Sequence, residues 1–409
     1  MKIIVGIFIL FMQISFGQDK LPKDYFQSPL DIPLVLSGTF GELRSNHFHA
    51  GLDIKTQGRE GLEVKASAEG YISRIKIQRF GYGKALYITH PNGYQTVYAH
   101  LKKFAPEIEN YVKAYQYDQE SYEVQLFPEK NKFKIKAQEI IAYSGNSGSS
   151  GGPHVHFEIR DSQSRPMNPF LFGFDKVKDT KSPRLRSVYA FTASKDAHVN
   201  FKTGRIKFKP IRDNDGHWKV PEIQAEGDIY FGIEGYDQLD FALNRNGYYE
   251  VEADLNGSPF FSSTFNRFAF SESRYLNRMI DYGYYREFKR RIHKLRSFDY
   301  KRLDINHFQT NNGILKIEDT INYKYEIKVK DFKGNTTEIH IPIRYSPLEE
   351  HIKDSIVKTN YFVKHDYAFA FDKGLVDIYI PKHALYEDTY LNIEVEGESI
   401  KLHDYRTPI

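Results

Sequence analysis

The sequence predicts a mostly β protein: a compact antiparallel β domain, then an immunoglobulin-like β-sandwich, then a short further β segment. Three observations predict it. From about Leu34 to Phe172, short alternating runs are separated by glycine turns, the signature of compact antiparallel sheet. The chain holds 30 Tyr and 31 Phe against one Trp, and in short alternating runs these favour strands and core packing. Beyond Arg184 the alternation resumes, and only about Ser271 to Lys294 reads as helix. The length admits two or three domains.

Residues 1–17 read as an export signal. Lys2 precedes the uncharged apolar run Ile3 to Met12, and Ser15 and Gly17 put small residues where a signal peptidase reads. The run is too short for a comfortable membrane span. Cleavage after Gly17 is expected to leave an exported protein, periplasmic or extracellular, without a stable transmembrane anchor. Residues 18–174 form the first domain. Gly61 to Ile72 reads as two strands about a turn, Arg79 to Lys84 as a turn, and Pro91-Asn92-Gly93 as a hairpin signal. Phe133 to Ala142 is strand, turn and strand. Ala105 to Lys132 interrupts the rhythm, as a short helix and loop or as a hairpin. It falls between two histidine motifs, so it is expected near the site. Residues 175–184 are a polar linker. Residues 185–346 follow a sandwich pattern with one helical insertion and no disulfide. Residues 347–409 add roughly four strands, thin for an independent domain.

The formal net charge is +4. Lys289-Arg290-Arg291, with Lys294 and Arg296, reads as a solvated helix face rather than a nucleic-acid stripe, so no nucleic-acid partner is expected. There are no cysteines. Disulfides, thiolate zinc sites, a catalytic thiol and a lipid anchor on an N-terminal cysteine are thereby excluded.

The chemistry lies in three motifs. In Gly151-Gly152-Pro153-His154-Val155-His156-Phe157-Glu158-Ile159-Arg160, strand alternation puts His154, His156, Glu158 and Arg160 on one face and the apolar residues on the other. His49 and Asp53 are four apart, an even step that an extended chain also puts on one face. Tyr98-Ala99-His100 closes a strand. Catalytic zinc usually takes three protein ligands and leaves a fourth position for water. His49, Asp53 and His156 supply two nitrogens and one oxygen for one zinc ion per chain, and His100 and His154 remain as unligated imidazoles. His47 shares a face with His49 if the chain is extended there; the step to Asp53 favours His49. Glu158 and Asn46 are candidates to orient an imidazole, although Glu158 reads equally as a surface carboxylate paired with Arg160. His293 and His307 are isolated and read as structural or exposed.

In this order the motifs resemble the M23 family of zinc metallopeptidases, the lysostaphin-like or LytM-type peptidoglycan endopeptidases. The resemblance covers about Phe40 to Pro169 and includes Gly145-Asn146-Ser147-Gly148 and the Pro91-Asn92-Gly93 turn. It implies that His49, Asp53 and His156 bind zinc, that His100 and His154 act on the bound water and the tetrahedral intermediate, and that the partners are peptidoglycan peptides. The segment between His100 and His154 is longer than the family core needs. Two other functions fit the same residues: a non-catalytic regulator that binds cell wall or an amidase through the same groove, and a glycan-binding or adhesion protein built on the aromatic β region.

Overall fold

The computed structural model describes residues 21–215, 217–297, 303–348 and, further on, 359, 361–373, 376–385, 388–396 and 399–403. The export signal expected at 1–17 lies outside the described residues. In the first unit, alternation builds the strands β1 (Leu36–Gly38), β2 (Leu52–Lys55), β3 (Glu63–Lys65), β4 (Gly70–Ile77), β5 (Lys84–Thr89), β6 (Gln95–Ala99) and β7 (Lys103–Phe104). Helix α1 (Pro106–Asp118) follows, then β8 (Val124–Leu126), β9 (Lys134–Ile135), β10 (Ile140–Tyr143), β11 (His154–Arg160) and β12 (Pro166–Met167). They form an antiparallel sheet in the order β1-β2-β11-β6-β5-β4-β8, with β12 on β11 and β9 on β4, and a small second sheet β3-β10-β7.

The even side-chain period of β11 sorts its residues as expected. Val155, Phe157 and Ile159 are fully buried in the core with Leu52, Ile54, Leu86 and Tyr98, and the polar residues take the other face. Register then does the placing: β11 lies between β2 and β6, with His156 directly opposite Asp53 on one side and Ala99 on the other. The close approach of β2 to β11 needs Gly51, because a Cβ there would sit 2.2 Å from the Phe157 carbonyl oxygen.

Ala105 to Lys132 forms α1 and then β8, not a hairpin. Pro106 at the first turn fits, since its missing N–H is not needed there, and Glu107 and Glu109 suit the positive end of the helix. Ile108 and Val112, four apart on one face, bury against the core, and β8 extends the sheet from β4. This pins the segment to the far edge of the sheet, and none of it lines the cleft described below. The expectation that it lies near the site was wrong.

Residues 184–345 are β-rich, as expected. The strand Ile223–Tyr236 pairs antiparallel with Arg184–Thr192 along its second half and parallel with Thr336–Tyr345 at its start, so it joins two sheets over one apolar core. The single helical stretch expected at Ser271 to Lys294 is instead three short helices, Phe270–Ser273, Leu276–Met279 and Tyr282–Phe288. Ile280 is extended, and Asp281 starts the last helix by accepting from the Tyr284 amide. His293–Lys294 is strand, paired with Gly232 and Ile233. Among the described residues further on there are five strands, where roughly four were expected, at Tyr361–Val363, Phe369–Lys373, Val376–Ile380, Thr389–Glu396 and Ser399–His403, in a three-stranded sheet and a hairpin.

The two units touch through apolar side chains. Phe40, Phe48 and Ala50 belong to the core of the second unit, with the Phe48 ring 5.3 Å from that of Phe268. The amide of Asn168 donates to the Phe265 carbonyl.

His293 is buried in that second core, with its Nδ1 hydrogen-bonded to the Tyr248 hydroxyl at 2.8 Å. Burial pushes its pKa down to about 3. The unfolded chain binds the proton near pH 6.5, so the stability due to the neutral ring is complete above 6.5. It is lost as pH falls toward 3, at about 1.4 kcal/mol per pH unit. The melting temperature should therefore drop between pH 7.5 and 5.0, and His293→Gln should shrink that drop. An unchanged drop in the variant would remove His293 as its cause.

Candidate metal centre

His49 lies on the loop before β2, Asp53 within β2 and His156 within β11. Their side chains converge. His49 Nε2 lies 3.0 Å from Asp53 Oδ1 and 3.1 Å from His156 Nδ1, and His156 Nδ1 lies 2.9 Å from Asp53 Oδ1. Three donors at about 2.0–2.1 Å from a tetrahedral zinc ion stand about 3.3 Å apart. The fit is close, and the donor set of two nitrogens and one carboxylate oxygen is one zinc takes.

The outer hydrogen bonds decide which atoms face inward. The Nδ1 of His49 lies 2.7 Å from the Thr39 carbonyl oxygen. A carbonyl only accepts, so Nδ1 carries the proton and Nε2 presents its lone pair. His156 donates through Nε2 to Glu158 Oε1 at 2.8 Å, which turns Nδ1 toward the centre. Asp53 faces the centre with Oδ1, while its Oδ2 accepts from Arg44 Nη2 at 3.1 Å. Arg44 is held in turn by Glu42. Three electron-pair donors at such separations repel one another unless a cation or proton lies among them, and that is the argument for a metal.

Two further imidazoles flank the triad. His100 donates from Nδ1 to the Ser147 carbonyl, and His154 from Nδ1 to the Gly152 carbonyl, both at 2.8 Å. Both leave Nε2 free to accept. His154 Nε2 lies 3.5 Å from Asp53 Oδ1, and the rings of His100 and His154 are 4.6 Å apart. His100 has φ 58°, a left-handed backbone uncommon for a side chain of this size. The structure explains the Gly145-Asn146-Ser147-Gly148 motif here. Ser147 holds His100 by its carbonyl and bonds Leu101 and Lys84 through its hydroxyl. Gly148 has φ 74°, and a Cβ on it would meet the Gly83 nitrogen at 2.3 Å.

Glu158 is fully buried and is no surface carboxylate. It accepts from His156, from the Tyr82 hydroxyl, and from Arg160 Nε at 2.6 Å. Burial opposes its charge, but Arg160 and His156 outweigh burial and hold it down to about 2. Burial also disfavours a charged His156, and the hydrogen bonds to Asp53 and Glu158 overcome it, raising this ring to about 9. His100 goes the other way. Burial and the charges of His156 and His154 lower it to about 4, so it is neutral near pH 7. The Tyr82 ring stacks on His156 with centroids 5.2 Å apart.

Asn46 is exposed, and among the described residues its side chain bonds its neighbour His47 and no imidazole of the cluster. His47 is exposed and stands outside the triad. The centre opens into a cleft of about 1340 Å³. One wall carries the five predicted residues. The other comes from the second unit and includes Arg186, Arg245, Arg290 and Arg291. Arg290 pairs with Glu234, and Arg291 donates to the Arg44 carbonyl at 3.0 Å. Arg290 and Arg291, from the basic run read as a solvated helix face, therefore line the cleft. The sequence reading also missed Arg44, Glu42 and Tyr82.

The sequence profile of Peptidase family M23 matches residues 47–117. The chain carries an M23 peptidase domain. The matched span holds His49, Asp53 and His100, and β11 with its two histidines lies beyond it. The chain is 32% identical over 171 residues to the DD-carboxypeptidase/endopeptidase Mpg of Neisseria meningitidis, covering 40% of this chain and 32% of that protein. It is 31% identical over 157 residues to an uncharacterized metalloprotease of Haemophilus influenzae, covering 37% and 28%. The chain thus spans about a third of the length of these curated relatives. Among solved structures, a zinc-containing peptidase from Vibrio cholerae aligns with 24% identity over 36% of this chain and 40% of that one, with a TM-score of 0.27. No helix among the described residues is long and apolar enough to cross a membrane.

Proposed function

We propose that this protein is an exported zinc-dependent endopeptidase that hydrolyses peptide cross-links of bacterial peptidoglycan, in the periplasm or outside the cell. His49, Asp53 and His156 hold one zinc ion, and His100 and His154 are the catalytic imidazoles. One observation carries the reading. Three lone-pair donors converge within 3.1 Å of one another at the floor of a cleft, beside two imidazoles whose Nδ1 protons are committed to carbonyls.

Bound zinc supplies Lewis acidity and a water whose pKa is near roughly 7. The chain does the rest. His100 and His154 present Nε2 as proton acceptors, and the ring that takes a proton donates it from the same atom to a developing oxyanion or leaving amine. The M23 domain provides the floor of the cleft and the sandwich its second wall. The four arginines of that wall outnumber the Glu234 carboxylate that Arg186 and Arg290 share, and the net positive wall suits a peptide rich in carboxylates, such as a peptidoglycan stem. The name of the Neisseria relative supports action on the same class of peptide.

The test is digestion of isolated sacculi by the purified protein, with and without a chelator, followed by mass analysis of the released muropeptides. Cross-linked dimers should fall to monomers, and the chelator should stop the reaction. Loss of a single terminal residue without loss of cross-links would indicate a carboxypeptidase instead. No change with zinc-loaded protein would end the proposal.

A further inference from the structure

A second cluster of ligating groups lies away from the histidines, where the segment leaving the M23 domain meets the sandwich. Asp179 belongs to that segment. Asp237 follows the strand Ile223–Tyr236, and Asp331 follows the strand Asn322–Lys330. Oxygens of the three carboxylates lie within 4.8 Å of one another. Asp237 is 4% exposed and Asp331 2%. Asp331 accepts from the backbone and side-chain amides of Asn335, and Asp179 from the Lys181 backbone. Among the described residues Asp237 Oδ1 has no hydrogen-bond partner. Asn246 stands directly opposite Asp237 in a two-residue antiparallel bridge. It too is buried, and among the described residues neither its Oδ1 nor its Nδ2 has a partner.

Three ionised carboxylates this close repel strongly, and burial adds a desolvation cost. The ammonium of Lys181 bears on Asp237, but it is tied to the carbonyls of Leu239 and Asp240. Burial first and the neighbouring carboxylates next push Asp237 up to about 8 and Asp179 up to about 6. The cluster therefore needs protons or a cation. All its ligating atoms are oxygens, which suits a hard cation rather than zinc. Two oxygens each about 2.3–2.6 Å from a calcium ion stand at most about 5 Å apart, and these fall within that span.

We propose that Asp179, Asp237 and Asp331 form a binding site for calcium that ties the segment between the two units to two loops of the sandwich. Existing contacts already draw the same parts together: Thr180 bonds Asp240, and Asn335 Nδ2 donates to the Asp179 carbonyl at 3.2 Å. Residues 244–247, further along the Asp237 loop, line the cleft, so calcium would also brace one wall of it. The site is independent of the zinc proposal.

The test uses the purified full chain, stripped of metal and restored with one equivalent of zinc. Calcium chloride is titrated by calorimetry, and melting is followed at pH 7.5. One calcium per chain is expected, with a rise in melting temperature of roughly 5 °C at a hundredfold excess over Kd. Asp237→Asn and Asp331→Asn should each lose both responses, and His49→Ala should keep them. Without calcium, Asp237→Asn should melt no lower than wild type, because a neutral amide replaces a repelling carboxylate. That comparison separates loss of the site from loss of the fold. A wild type indifferent to calcium overturns the proposal, as does an Asp237→Asn variant that responds like wild type. So does a wild type stabilised by lowering pH from 8 to 6 but not by calcium, which would mean the cluster shares protons instead.

Discussion

His156→Ala is expected to lose zinc and turnover together, whereas His154→Ala is expected to keep zinc and lose turnover. The difference follows from where each ring points. His156 offers Nδ1 to a triad whose other members stand 2.9 and 3.1 Å away. Its removal leaves two donors, below the three that catalytic zinc sites use. His154 stands one step further out, 3.5 Å from Asp53 Oδ1, with its Nδ1 proton spent on the Gly152 carbonyl. Its removal deletes a proton acceptor without opening the triad, and a single general acid or base is worth on the order of 10²- to 10⁴-fold. His100→Ala should behave like His154→Ala. Zinc content of the purified variants, measured beside sacculus digestion, separates the classes. Full activity in His154→Ala, or stoichiometric zinc in His156→Ala, would overturn the assignment of roles.

Much of this was legible in the sequence because the deciding geometry is local. Two residues apart on a strand fixes that His154 and His156 share a face; His49 lies on the loop before β2, so the even step to Asp53 pointed to the right pair although strand alternation does not hold there. What failed was long-range. Arg291 reaches the Arg44 carbonyl across 247 residues, and nothing in the local pattern of Lys289-Arg290-Arg291 separates a cleft wall from a solvated face. Glu158 was left open between two readings because alternation gives a face, not a depth. Only the stacking of Tyr82 and the pairing with Arg160 show that this face is covered. The broken helix at Phe270 to Phe288 failed for a different reason. Its apolar residues suit a helix, but Ile280 is extended because it is buried in the sandwich core and bridges His293, whereas the Asp281 cap that follows is a local signal the reading passed over.

Glu158→Gln is expected to lower both stability and zinc affinity, and the reason is a conflict that an amide cannot resolve. The carboxylate accepts on both sides, from His156 Nε2 on one oxygen and Arg160 Nε on the other. A glutamine has one accepting oxygen. If that oxygen faces His156, the amide N–H groups face a buried guanidinium, donor against donor. If it faces Arg160, an amide donor meets His156 Nε2, which must then become the acceptor. The ring proton would move to Nδ1, the atom that belongs to the metal triad. The first arrangement leaves Arg160, only 6% exposed, without its partner, and breaking a buried pair costs about 3–5 kcal/mol. That corresponds to a fall in melting temperature of roughly 6–20 °C. The second removes a ligand's lone pair, and loss of such an outer partner lowers metal affinity about 10- to 100-fold. Zinc affinity, measured by chelator competition well below the melting temperature, keeps the two effects apart. A Glu158→Gln protein that binds zinc as tightly as wild type and melts at the same temperature would show that His156 is oriented by something other than this carboxylate.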